Sequence, residues 1–467
     1  MQVLKFGGTS LETVTRIQRV GEIIGTAHAN TPELAVIVSA FGGVTNTLIH
    51  AAETAASGDV RYQLELKSLE KRHLDTIREL IPAQHQTAAL TFIMREIKNL
   101  YDVLHGVYLV RELSPRVLDF VMSFGERFSA FIVAEYLKEH GLPAYYLDAR
   151  RLIRTDNRFG AARVDYQTTY ANIQHHFRQN NGLAIITGFI AATPQNQTTT
   201  LGRSGSDFSA SIVGAALQAT EIQIWTDVDG VLTADPRHVP DAFTIPELSY
   251  EEAMELSHFG AKVIHPRTMQ PALEKGIPIC IKNTFNPNHP GTRISRNPAP
   301  SPYPIKGISS IPQIGLINVS GSGMLGATGI AGKIFMALAQ NDINIILISQ
   351  ASSEHSICLG VMPNAAPQAH DILERALKLE RLEKTIGQIQ VETNRAVVAV
   401  VGENMRRTAG IAGKIFSALG TAGINIVAIA QGASELNISF VVADEDLTRA
   451  LQVIHQAFFQ TNGKASS

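Results

Sequence analysis

Lys5-Phe6-Gly7-Gly8-Thr9-Ser10 is the stretch whose reading decides the fold. Val3 and Leu4 stand before it, and Val14, Ile17, Val20 and Ile24 follow at helical spacing. The pattern predicts a strand, a tight glycine turn and a helix. Gly7 and Gly8 lack Cβ atoms and let a ligand approach the backbone closely. Thr9 or Ser10 is the expected N-cap, and amides at a helix N-terminus favour an anion in the turn. Lys5 adds a cation, which makes the whole a phosphate cradle. The plainer alternative is a turn with no ligand. The order is not that of a P-loop, where lysine follows the glycines.

Outward from this turn, strands alternate with helices. Leu34 to Ala40 (LAVIVSA) is a continuous apolar run, as a strand buried on both faces requires. Residues 143–147, 183–187 and 222–225 are read as further strands, with glycine and hydroxyl residues at their ends. The fold class expected is α/β, a mainly parallel sheet between helices with functional loops at the carboxyl ends of the strands. Residues 64–113 read as an inserted pair or trio of helices, and Ser123-Phe124-Gly125-Glu126-Arg127 as the opening of another. Pro287, Pro290, Pro298, Pro300, Pro302 and Pro304 mark an extended linker and a domain boundary.

Beyond the prolines lies an internal repeat. Ala331-Gly332-Lys333-Ile334-Phe335 recurs as Ala412-Gly413-Lys414-Ile415-Phe416, an offset of 81 residues. Ile343-Asn344-Ile345 and the segment Gln350 to Glu354 recur at the same offset, and the helix face Ile330, Ile334, Leu338 maps onto Ile411, Ile415, Leu419. A constant offset across separate segments is a duplicated fold unit. Gly321-Ser322-Gly323-Met324-Leu325-Gly326 fits a dinucleotide pattern, but its duplicate lacks the glycines and no acidic residue ends the next strand, so nicotinamide binding is rejected. Thr226-Asp227-Val228-Asp229-Gly230 is not a calcium loop, because the closing glutamate is missing.

Length and composition bound the rest. At 467 residues, two or three domains are expected. Forty basic residues against 42 acidic ones argue against bulk electrostatic binding of nucleic acid. No apolar run is long enough to span a bilayer, so no membrane association is expected. Cys280 and Cys358 are the only cysteines, which suits a reducing compartment, and a cytoplasmic location is expected.

KFGGTS at 5–10, SAFGGVTN at 39–46, SFGER at 123–127, LGRSGSD at 201–207, WTDVDGV at 225–231 and FGAKVIHP at 259–266 together resemble the aspartate kinases. The C-terminal duplication resembles their paired ACT domains. The likeness covers nearly the whole chain and is strongest to the kinase half of the fused aspartate kinase–homoserine dehydrogenases. The sequence stops where their dehydrogenase half would begin, so a single-function kinase is expected. The resemblance implies an amino-acid-kinase fold over 1–296, a linker at 297–304, and two ferredoxin-like (βαββαβ) ACT domains. Counting strands leaves the second ACT copy one short, and residues 305–311 are the unassigned candidate. The second ACT domain is therefore expected to comprise 305–311 and 394–467, with the first, 312–393, inserted in it.

The activity so implied is transfer of the γ-phosphoryl group of Mg-ATP to the side-chain carboxylate of L-aspartate. Such a transfer needs positioning and charge neutralisation. Lys5 and Lys262 are the cations expected at the phosphates; the alternative for each is a solvated surface lysine. Arg203 suits the α-carboxylate because guanidinium matches carboxylate in bidentate fashion. Glu126 is implied to hold the substrate ammonium, or alternatively caps its own helix. Ser39, Thr45 and Ser206 supply hydroxyls near the substrate or cap helices, and Asp207 is expected to order Lys5 or the metal. Gly7, Gly8, Thr226, Asp227, Leu232, Arg237, Lys262 and Val263 match family positions around ATP, although the family usually has an aromatic residue where this chain has Leu232. Asn344, Gln350, Asn425 and Gln431 are implied to hold a regulatory amino acid, or are plain hairpin polar residues. Ile348 to Ile357 (ISQASSEHSI) resembles the threonine-inhibited fused enzymes, which favours threonine over lysine as effector. A homodimer through the ACT domains is expected. Two alternatives stand beside this reading: a kinase of another amino-acid carboxylate, such as glutamate or N-acetylglutamate, and an amino-acid sensor with an inactive kinase half.

Overall fold

The structure, a computed structural model, describes residues 1–260, 264–350, 355–406 and 408–460. It divides into two units, Met1–Val231 with Ile264–Pro298, and Leu232–Val263 with Ala299–Ser467.

The first unit opens with β1 (Gln2–Phe6), α1 (Val14–Asn30), β2 (Leu34–Val38) and α2 (Val44–Ala56). The long α3 (Tyr62–Leu80) and α4 (Thr87–Val110) follow, then α5 (Pro115–Glu139) and β3 (Ala144–Leu147). After α6 (Tyr166–Gln179) come β4 (Leu183–Thr187), the hairpin of β5 (Ile190–Ala192) and β6 (Thr198–Thr200), α7 (Gly205–Leu217) and β7 (Glu221–Thr226). The chain then enters the second unit for β8 (Glu247–Ser249) and α8 (Tyr250–His258). It returns for α9 (Pro266–Lys275), β9 (Ile279–Asn283) and β10 (Thr292–Ser295). The strands of this unit lie in the order β3-β4-β2-β1-β7-β9-β10, parallel except for β10. Every residue of β2 and β4 is buried, as their unbroken apolar runs demand.

Three local expectations are corrected. Thr13 caps α1, its hydroxyl accepting from the Arg16 amide at 3.3 Å, in place of Thr9 or Ser10. Residues Gly8–Leu11 make a separate 3-10 turn, and Ser10 is buried with its hydroxyl bonded to that of Thr284 at 2.7 Å. Ser123 to Arg127 lie in the middle of α5, not at its start. The helix begins at Pro115, with Ser114 accepting from the Val117 amide, because a hydroxyl cap followed by proline at the first helical position fixes the start there. Capping is therefore not the role of Glu126. Finally, the proline stretch is not a free linker: β10 lies within it and pairs with β9, and the Ala299 amide donates to Glu247 at 2.5 Å.

In the second unit, β11 (Gly307–Ser320) and β14 (Gln388–Val401) form a long antiparallel pair. Residues 307–311 pair with 397–401, and 316–320 with 388–392. The register shifts between them, where Gln313 and Asn394 take positive φ. Between these strands run α10 (Ile330–Ala339), β12 (Ile345–Gln350), β13 (Ser356–Val361), α11 (Ala366–Ala376) and α12 (Lys378–Leu382). After β14 come α13 (Ile411–Thr421), β15 (Ala428–Ala430), β16 (Asn437–Ala443) and α14 (Leu447–Phe459). The sheet order is β12-β13-β11-β14-β16-β15. Each copy has its own core, one around Val319, Ile334, Leu359 and Leu373, the other around Val400, Ile415, Phe440 and Ile454. The repeated helix-face positions, Ile330, Ile334 and Leu338 with Ile411, Ile415 and Leu419, are all buried.

Residues 232–263, which sequence reading keeps within a 1–296 domain, belong to this second unit. Ala234 and Val239 join the core of the second copy, the Thr233 hydroxyl meets His455 Nε2 at 3.0 Å, and the Glu403 amide donates to Glu252 at 2.8 Å. Apolar burial and specific hydrogen bonds hold this excursion there.

Candidate functional site

At the carboxyl ends of β1, β2 and β4 a cavity of about 630 Å³ opens in the first unit. β1 carries Lys5, hydrogen-bonded between β2 and β7, so its ammonium emerges beside the glycine turn. Lys5 is only 8% exposed, and its Nζ lies 2.6 Å from the carboxylate of Asp207, itself 7% exposed, in the first turn of α7. A Cβ on Gly7 would lie 3.5 Å from that ammonium, and one on Gly8 2.9 Å from the Ala40 carbonyl. The contact at Gly7 is an ordinary one, whereas Gly8 is bare so that two backbones can close on each other.

The second wall is the segment from Ser39 to Asn46, which leads into α2 through Gly43 at φ +83. Arg72 of α3 donates to the Gly42 carbonyl at 2.8 Å and the Glu12 carbonyl at 3.0 Å, tying this segment to the first turn. Beneath it, His73 stacks on Phe41 and donates from Nδ1 to the Leu69 carbonyl at 2.7 Å. Complete burial lowers its pKa to about 4, so the ring is neutral.

The third wall is α5, which presents Glu126. One carboxyl oxygen accepts from the Ala40 amide at 3.2 Å, whereas the other is buried with no partner among the described residues. Burial pushes this carboxyl up to about 8, far above the ordinary glutamate value. The fourth wall is the loop after β6, Gly202 to Ser206, running into α7. Arg203 is exposed at the rim and Ser206 is buried against Gly188. The N-termini of α2 and α7 both reach the cavity, so backbone amides and the Lys5 ammonium face the same space as Glu126.

The structure thus brings together Lys5, Gly8, Ser39, Thr45, Glu126, Arg203, Ser206 and Asp207. Gly7 sits buried just behind Lys5. Thr226 and Asp227 do not line this cavity; they end β7, the strand beside β1, where the Thr226 hydroxyl donates to Asp227 at 3.1 Å. Leu232 and Arg237 belong to the second unit, Leu232 bridged to Thr244 and Arg237 ion-paired with Asp235. Lys262 and Val263 lie outside the described residues, as does most of the 350–354 repeat segment. Asn344, Gln350, Asn425 and Gln431 are exposed, and the Ser349 hydroxyl donates to the Ile429 carbonyl at 2.8 Å between β12 and β15. Phe189, Thr200 and Gly160 also line the cavity and escape sequence reading, since none stands in a recognisable motif.

The amino acid kinase family model matches residues 1–283, and an ACT domain model matches 317–377 and 398–458. The chain belongs to the amino acid kinase family, and within it to the aspartokinases. It is 33% identical over 471 residues to aspartokinase 2, chloroplastic, of Arabidopsis thaliana, covering 98% of this chain and 84% of that one. It is 39% identical over 464 residues to bifunctional aspartokinase/homoserine dehydrogenase 2, chloroplastic, of the same plant, and covers 50% of it. The chain therefore spans about half the length of that fused relative. E. coli aspartokinase III in complex with aspartate and ADP matches with a TM-score of 0.82 at 30% identity, over 98% of this chain and 99% of that one. The same enzyme in complex with lysine and aspartate gives 0.78, with the same identity and coverage. No helix among the described residues is long and apolar enough to cross a membrane.

Proposed function

We propose that this chain transfers the γ-phosphoryl group of ATP to the side-chain carboxylate of L-aspartate, giving 4-phospho-L-aspartate. The observation that carries the reading is one cavity lined by an anchored ammonium, Lys5, by a buried carboxyl with an oxygen unpartnered among the described residues, Glu126, and by a guanidinium, Arg203. Those are the complements of a phosphate, an α-ammonium and an α-carboxylate. The similar E. coli enzyme holding aspartate and ADP supports it.

In this reading Arg203 takes the α-carboxylate and Glu126 the α-ammonium, with Ser39, Thr45 and Ser206 completing the substrate shell. The side-chain carboxylate of aspartate then points toward Lys5. That carboxylate is ionised at neutral pH, so no general base is required. Lys5 neutralises charge where two anions must meet, and Asp207 holds Lys5 in place. Gly7, Gly8, Thr226 and Asp227 surround the nucleotide. Among the described residues no group of three or more potential ligands could cage a metal, and Asp207 is the carboxylate paired with Lys5 at the phosphate turn. That donor set fits Mg²⁺ carried on the phosphates with one protein carboxylate at most. When bound, the metal spreads phosphate charge.

The second unit is proposed to be regulatory: an ACT domain at 312–393 inserted in another formed by 305–311 and 394–467. The pairing of 307–311 with 397–401 supports that division. Asn344, Gln350, Asn425 and Gln431 would receive an amino acid, threonine ahead of lysine, in a homodimer. The free thiols Cys280 and Cys358 suit a reducing, cytoplasmic setting. The product is an acyl phosphate, so hydroxylamine present during turnover should yield aspartyl hydroxamate in step with ADP. ADP formed without hydroxamate would overturn the proposed acceptor.

A further inference from the structure

α5 carries two buried carboxyl groups on one face, Asp119 and Glu126, seven residues and therefore about 10 Å apart along the axis. The function proposed above uses only Glu126. Asp119 is 1% exposed and saturated with donors. Its Oδ2 accepts the amides of Gly160 and Thr200, each at 2.9 Å, and its Oδ1 accepts the Thr200 hydroxyl at 2.8 Å and, more weakly, the Gly160 amide at 3.1 Å.

Those partners are not remote from the cavity; Gly160 and Thr200 line it. Thr200 ends β6, and Arg203 stands three residues on. The Ala162 amide donates to the Thr200 carbonyl at 3.0 Å, and Gly202, at φ +79, lies against Gly160 and Ala161. The Leu201 amide donates to the Phe189 carbonyl at 2.9 Å. The loop that bears Arg203 is thus pinned at its root, and the pin is a carboxylate on the helix that bears Glu126.

We infer that Asp119 is a positioning residue: through Gly160 and Thr200 it fixes where Arg203 stands relative to Glu126. This rests on the functional reading above, in which those two groups grip the two ends of the same α-amino acid. One rigid helix then measures the α-ammonium against the α-carboxylate. With both ends held, the reach of the side-chain carboxylate depends on chain length alone. Glutamate, one methylene longer, overshoots the phosphoryl group that aspartate meets. Loosening the pin relaxes that discrimination.

The test is steady-state kinetics of the full chain, with circular dichroism to confirm folding. Asp119→Ala leaves two buried amides unpaired and frees the loop. It should raise the KM for aspartate about tenfold or more, the scale of a lost charge-assisted hydrogen bond. The KM for ATP should stay put, and the preference for aspartate over glutamate should narrow. Asp119→Asn keeps a carbonyl for both amides and turns its NH₂ to the Thr200 hydroxyl, so it should restore most of the wild-type KM. In an Arg203→Ala background, Asp119→Ala should add little further, because the residue acts through Arg203. Should Asp119→Ala not fold, Thr200→Val removes one donor at constant volume and carries the same test at smaller size. Additive losses, or equal changes in both KM values, overturn the inference. Wild-type protein that releases no ADP with aspartate overturns the functional reading and this inference with it; an active wild type with an unmoved KM in the variant overturns the inference alone.

Discussion

Lys5, in the proposed function, serves stability and chemistry at once. Its side chain and that of Asp207 are each 10% exposed and joined at 2.6 Å. Removing one partner of such a pair strands a buried charge and costs about 3–5 kcal/mol. A lysine at a phosphate turn outside any core could be lost without harm to the fold; the burial of Lys5 makes its loss costly. Lys5→Met should therefore lose at least about a hundredfold in turnover and also melt several degrees lower. The double variant Lys5→Met/Asp207→Asn should regain the melting temperature and none of the turnover. A thermal scan beside a turnover assay separates the two effects. Glu126 gives a second expectation. Burial raises its carboxyl from the ordinary 4.5 to about 8. In the free protein this group contributes stability that is full below pH 4.5 and is lost as pH rises through 8. An ammonium brought against it favours the ionised form and expels the proton. Aspartate binding near pH 6.5 should thus release about one proton, read by calorimetry in buffers of different ionisation enthalpy, and Glu126→Gln should abolish the release. Residue identities at the cavity were legible because KFGGTS, SFGER and LGRSGSD are compact motifs. Asp119 was not, since a lone aspartate in an apolar helix has no pattern until its partners, 41 and 81 residues away, fold beside it.

Among elements, α5 is the one on which the cavity depends, and its glycine has a reason. A Cβ at Gly125 would lie 2.8 Å from the Ala40 Cβ and 3.3 Å from a Val44 methyl. Gly125→Ala gains about 1 kcal/mol of helix propensity, but overpacking costs about 1–3 kcal/mol and pushes on the residue whose amide holds Glu126. The expected result is a lower melting temperature with a raised aspartate KM; an unchanged KM would show that the close approach is incidental. Strand existence was readable wherever both faces are buried, as in LAVIV of β2 and LAIIT of β4. Element ends were not. The start of α1 moved from Thr9 or Ser10 to Thr13 because Ser10 finds Thr284, a partner 274 residues distant. The last strand of the first copy and the first strand of the second are one strand, β14, because β11 runs alongside both parts of it.

At the scale of the whole molecule, the duplication and the strand pairing at 307–311 mark the unit proposed above as regulatory. Threonine at millimolar concentration should inhibit, and Gln350→Ala or Gln431→Ala should weaken inhibition while leaving the uninhibited rate unchanged, as two distinct coupled sites require. Inhibition by lysine alone would reassign the effector, and no response to either would leave those glutamines as plain edge residues. The allocation of residues after Val231 to the second unit was illegible in sequence, because WTDVDGV and FGAKVIHP flank that segment as if it belonged to one domain. Its burial is decided by Ala234, Val239 and Glu252, which meet residues more than 150 positions away. The central claim is the acceptor, and the most direct measurement is ADP release by the purified chain with Mg-ATP and aspartate, glutamate or no acceptor. Release should depend on aspartate, with glutamate and the blank near background. Equal rates with glutamate, or no rate with any acceptor, would contradict the account.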